Sequence, residues 1–186
     1  MKILKQLYLH FYCLPILEAL AWILWGVGAF ALLRRWLLGK RVWRCLVWSA
    51  MLFWLAAIVT CTLIFRSQDP EIGALSWIPL HSYFSLLKGA NIEVLRMNFM
   101  NTALFYPLGL LANECFPMNW TKNKRLVCGA CFALALSCGI EIIQFFSLRG
   151  YAEMDDIIHN TAGMCLGVLT LGPQAYPEKR EVGSNE

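Results

Sequence analysis

Charge is scarce in this chain, histidine scarcer, and no stretch is polar enough to build a soluble domain. Only 15% of the 186 residues are charged against 59% hydrophobic, so no water-soluble core-and-surface pattern can be drawn. The three histidines, His10, His81 and His159, are too dispersed to imply a metal site by themselves. No glycine-rich run follows a strand to cradle a phosphate, and no Ser-His-Asp geometry can be argued from spacing. No internal repeat is visible either, which counts against a transporter built from two related halves. A net charge of +4 needs no nucleic-acid partner, because orientation in a membrane accounts for where the positive charges fall. Of the eight cysteines only Cys128 and Cys131 have motif spacing, and nothing nearby supplies further zinc ligands. No motif calls for a cofactor.

What the chain has in quantity is long apolar blocks. Five approach the ~20 residues that span a bilayer, at roughly 13–33, 45–65, 98–117, 126–146 and 157–172. Only helices or closed barrels satisfy their backbone hydrogen bonds in lipid, so the expectation is an all-α membrane protein, a bundle of about five transmembrane helices. The first block carries Glu18 and runs into Arg34-Arg35 without a small-residue cleavage site, unlike a signal peptide. The organisation expected is a first helix and basic loop (1–44), a transmembrane domain (45–172) and a charged tail (173–186). Between the second and third blocks, Trp77-Ile-Pro79-Leu80 and Tyr83-Phe84-Ser85-Leu86-Leu87 interleave aromatic and apolar residues as an interfacial loop does.

Lys and Arg concentrate between the first and second blocks, between the third and fourth, and in the tail, ten against six elsewhere. The positive-inside rule makes those sides cytoplasmic, with the N-terminus outside and the C-terminus in the cytoplasm. The polar residues of the spans then fall in the outer leaflet: Glu18, Arg66, Asn98, Asn101, Thr102, Glu141, Gln144, Asp155, Asp156 and Asn160. Ser137, Glu141 and Gln144 fall at i, i+4, i+7, as do Asp156, Asn160 and Gly163, which gives each helix one polar stripe. Gly163 and Gly167 continue the second stripe as a small-residue face for close helix approach. Pro107 loosens the third helix, and its freed carbonyls must face protein.

Three ordered blocks carry a resemblance. Asn101-Thr-Ala-Leu-Phe-Tyr-Pro107-Leu-Gly109, then Glu141-Ile-Ile-Gln144, then Asp155-Asp156-Ile-Ile-His-Asn160-Thr161-Ala-Gly163 with Gly167 resemble the VanZ-like family of bacterial membrane proteins. Trp77-Ile-Pro79-Leu80 looks like that family's short Asn-Leu-x-Pro-Phe element, with Trp77 where the family often has Asn. The resemblance covers about residues 60–172. It implies a bacterial cytoplasmic membrane protein, and its founding member is associated with resistance to the glycopeptide teicoplanin. Enzyme status does not follow from it.

Three readings of the polar cluster stay open. In the first, the outer site recognises an amphiphile, namely a membrane lipid, a lipid-linked envelope precursor or a lipoglycopeptide, with Arg66, Asn101, Gln144, Arg149, Asp155 and Asn160 as ligand-binding residues. In the second, a membrane-embedded enzyme acts on a lipid-linked substrate, with Glu141 and Asp156 as catalytic carboxylates; a carboxyl in low dielectric suits general acid or base work, and an Arg fork suits phosphate. A metal held by Asp155, Asp156 and Glu141 is weakly indicated, since three carboxylates without a His favour only Mg²⁺ or Ca²⁺. In the third, the network satisfies itself: Glu141 pairs with Arg149, Asp156 bonds Asn160 or its helix N-terminus, and Glu18 bridges helices. Oligomeric state is open in all three.

Overall fold

The structure, a computed structural model, describes residues 16–37, 41–64, 75–89, 93–148 and 152–171. Five long helices follow the five apolar blocks: α1 (Ile16–Leu37), α2 (Arg41–Val59), α4 (Glu93–Cys115), α5 (Lys122–Ser147) and α6 (Met154–Thr170). A seven-residue helix, α3 (His81–Leu87), occupies the expected interfacial loop. The strands β1 (Leu75–Ser76) and β2 (Ala152–Glu153) form a two-residue parallel bridge, pairing Leu75 with Ala152 and Ser76 with Glu153. The chain is an all-α, multi-pass membrane protein in architecture. α1 from Leu20, α2 with its extension to Ile64, and α5 are each long and apolar enough to cross a bilayer.

α4 and α6 are less apolar because their polar and small residues face each other and α5. These two helices run parallel and touch backbone to backbone. A Cβ on Gly163 would lie 2.1 Å from the Thr102 carbonyl oxygen, one on Gly167 2.2 Å from that of Tyr106, and one on Gly109 2.2 Å from that of Met164. Only hydrogen in place of a side chain allows this approach, and in lipid such packing replaces the hydrophobic drive that water would supply. Around it Ile58, Phe105, Leu108, Ala133, Ile140 and Met164 form the core. Pro107 sits inside α4, which runs on through it, and one turn earlier the Trp54 indole donates to the Leu104 carbonyl at 2.8 Å.

The two ends of the bundle differ in charge. At the basic end Arg125 of α5 is buried and gathers the carbonyls left over where α4 stops. It donates to the Asn113 backbone oxygen at 2.9 Å, to Pro117 at 2.9 Å and to Trp120 at 3.2 Å. Asn113 in turn donates to the Leu171 carbonyl at the end of α6, 2.6 Å away. Arg34 of α1 pairs with Glu114 at 2.8 Å, and the Trp43 indole donates to the second Glu114 oxygen at 3.0 Å. The sequence presents Arg34 and Arg125 as loop charges; both are instead built into the bundle. Glu18, expected to join the polar residues at the opposite end, is exposed in the first turn of α1.

Candidate functional site

The end opposite the basic residues is organised by the first two turns of α6. Asp155 is 2% exposed, and its carboxylate accepts from the Leu80 amide at 2.5 Å, the Ser82 amide at 2.8 Å and the Ser82 hydroxyl. A carboxylate is acceptor-only, so three donors match it. Asp155 thereby caps the start of α3 from 75 residues away, where Leu80 takes a left-handed conformation, φ 60°, that a leucine adopts only under constraint. One turn on, the His159 Nδ1 lies 2.6 Å from the Asp155 carbonyl and must donate to it, which leaves Nε2 for the Tyr83 hydroxyl at 2.9 Å. The two rings stack with centroids 5.8 Å apart.

The other stripe residues reach across to neighbouring helices. Asp156 accepts from the Asn101 amide of α4 at 2.5 Å, and Asn160 donates to Ser137 of α5 at 2.8 Å. Glu141, 6% exposed, accepts from the Glu153 amide at 3.0 Å. Gln144 donates to the Thr62 carbonyl at 3.0 Å. Thr62 lies in a π-helical turn, Thr60–Ile64, that prolongs α2; such turns offer carbonyls off the regular ladder. Among the described residues, Gln144 Oε1, Asn160 Oδ1, Thr161 Oγ1 and Asn98 Nδ2 are buried with no hydrogen-bond partner. Native interiors seldom leave such atoms unmet, so these are positions for water or a ligand group. A cleft of about 240 Å³ opens between α5 and the start of α6, walled by Phe145, Phe146, Ile142, Ile157 and Trp77, with Glu141 and Cys138 at its lining.

Six of the eight residues singled out in the sequence therefore meet at one end: Asn101, Glu141, Gln144, Asp155, Asp156 and Asn160. Arg66 and Arg149 lie outside the described residues, and so does the expected Glu141–Arg149 pair. Asp156, which the self-satisfied reading bonds to Asn160 or to its helix N-terminus, reaches Asn101 of α4, and Asn160 reaches Ser137 of α5, because residues four apart on one face both point at the neighbouring helices. The two aspartates take different partners, and among the described residues no group of three His, Cys, Asp or Glu is placed to hold a metal ion. Ser82, Asp155 and His159 do come together, but the imidazole holds Tyr83 and a main-chain oxygen and Ser82 is spent on Asp155, so no hydroxyl-and-base pair results. The role of Ser82, Tyr83 and Thr62 was missed in the sequence. Tyr83 and His159 are 76 positions apart, and no local spacing signals their contact.

Residues 47–172 match the family described as VanZ/LLP1. The chain belongs to the VanZ/LLP1 family. The matched region contains every contact of the polar end described above. Protein VanZ of Enterococcus faecium is 38% identical to this VanZ/LLP1 chain over 72 residues, which is 39% of this chain and 42% of that relative. The alignment thus spans about two-fifths of the relative's length. No solved structure is matched.

Proposed function

We propose that this VanZ/LLP1 protein recognises an amphiphilic cell-envelope ligand at the polar end of its bundle, from the outer leaflet, and by doing so protects cells against glycopeptides of the teicoplanin type. The observation that carries the reading is an apolar cleft backed by a polar network: its walls are chiefly Phe, Ile and Trp, and the carboxylate of Glu141, one of its lining residues, is buried behind them, which suits a molecule with a hydrocarbon part and a polar head. The unpartnered Gln144, Asn160 and Asn98 atoms supply further hydrogen-bonding capacity at the same end of the bundle. Teicoplanin itself carries an acyl chain, and the family resemblance points the same way.

The test is the growth-inhibiting concentration of teicoplanin and of vancomycin for cells producing wild type or Glu141→Gln at matched membrane levels. Selective protection against teicoplanin by wild type, lost in the variant, supports the reading; unchanged sensitivity in both removes the resistance role. A second reading, a membrane-embedded enzyme with Glu141 as acid or base and Asp156 as a second carboxylate, draws on the same buried carboxyl. It requires that Glu141→Gln retain ligand yet turn none over, whereas the recognition reading requires binding itself to weaken.

A further inference from the structure

A second cleft, of about 310 Å³, lies between α1, α2 and α4, apart from the polar end. Its walls are Trp22, Gly26 and Phe30 on α1, Trp54 on α2, and Tyr106 and Leu110 on α4. We propose that this cleft is a binding slot for a single acyl chain of a bilayer phospholipid, wedged between α1 and the rest of the bundle.

Four observations carry it. First, the slot is lined by segments of α1 and α2 that are long and apolar enough to cross a membrane, and it is continuous with their lipid-facing surface, since Trp22 at its edge is 60% exposed. Second, the polar groups on its α2 and α4 walls are already engaged: the Trp54 indole with the Leu104 carbonyl at 2.8 Å, and the Tyr106 hydroxyl with Thr170 at 3.0 Å. Nothing on those walls asks for water or a polar ligand, and apolar cavities stay dry. Third, the slot is closed at the basic end, where Phe30 meets Trp43 with centroids 5.4 Å apart and the Arg34–Glu114 pair ties α1 down. A chain can enter from the opposite end and stop there. Fourth, size selects the occupant. α1 and α4 come within 8 Å of each other, Cα to Cα, less than the ~10 Å breadth of a helix with its side chains, so a helix of a second copy cannot enter between them, whereas a hydrocarbon chain is far thinner. Gly26 supplies the room on the α1 side, because no atom lies within 4 Å of where its Cβ would stand.

The full-length protein in vesicles of phosphatidylethanolamine and phosphatidylglycerol, doped with a phospholipid carrying a diazirine midway along one acyl chain, provides the test. After photolysis, mass spectrometry should find lipid adducts on Tyr106, Pro107 and residues 22–30 in excess of those on the exposed α1 residue Leu24. Gly26→Leu, which fills the slot, should lower the α4 adducts about tenfold, equivalent to ~1.4 kcal/mol. Leu24→Phe, on the exposed side of α1, should leave them unchanged. Gly26→Ala provides a milder filling should the leucine variant not fold. Adducts on α4 no more frequent than on exposed positions, adducts indifferent to Gly26, or cross-links to a second protein copy in place of lipid would each overturn the proposal.

Discussion

Asp155 and Glu141 are both buried carboxylates at the same end of the bundle, yet their surroundings give them different work. Asp155 accepts three donors from α3 and the turn before it, so it holds the interfacial segment in place. Asp155→Asn puts an amide group where an acceptor is needed and removes the charge from those bonds. Hydrogen bonds to charged groups contribute roughly 1.5–3 kcal/mol, so local stability of α3 should fall by about that amount. Ser82→Ala removes one of the three donors and should cost about 1 kcal/mol. Hydrogen exchange at the Leu80 and Ser82 amides checks both, and faster exchange in Asp155→Asn than in Ser82→Ala is the expected order. Glu141 accepts from the Glu153 amide and lines the cleft, and a glutamine keeps its shape, so Glu141→Gln should alter ligand response without reducing the amount of folded protein in the membrane.

Between elements, the decisive contact is α4 against α6. Gly163→Ala and Gly167→Ala each put a methyl about 2 Å from a backbone carbonyl that no rotamer change can move, so the helices must separate. Overpacking typically costs about 1–3 kcal/mol, and a backbone obstacle belongs at the top of that range or beyond it. Gly139→Ala, with nothing within 4 Å of the new methyl, should be neutral or mildly stabilising, since alanine is the better helix former. Thermal unfolding in detergent separates the two outcomes. This packing was legible in the sequence because the small residues recur at helical spacing, and the polar stripes of α5 and α6 were legible for the same reason. Partner choice was not. Asn101 meets Asp156 from 55 positions away, and Asp155 reaches α3 from 73 and 75, through a parallel helix pair and a strand bridge that no periodicity encodes. Arg34 and Glu114 were hidden for a different reason: a basic residue at the end of an apolar block reads equally well as a loop charge or as one half of a buried pair.

At the scale of the whole molecule, α4, α5 and α6 make the tight unit, while α1 is held chiefly at the basic end. Arg34→Leu should therefore cost about 3–5 kcal/mol by leaving Glu114, 7% exposed, without its cation. The paired change Arg34→Leu with Glu114→Leu should recover most of that in the same unfolding measurement. Orientation follows from the charges outside the bundle's interior. With Arg34 and Arg125 absorbed into the bundle, Arg35, Arg44, Lys122 and Lys124 are still exposed at the basic end, whereas at the polar end Arg96 is half-buried and Lys88 exposed. The bias toward the basic end survives the loss of two arginines, so that end should face the cytoplasm and the Glu141 cleft the outside. In a variant with the native cysteines replaced, Lys88→Cys should react with an impermeant maleimide on intact cells, and Met118→Cys only after permeabilisation. The reverse pattern would turn the polar end inward, where it could not meet an antibiotic arriving from outside. The VanZ/LLP1 fold would stand, but the ligand would then have to be sought among molecules of the inner leaflet.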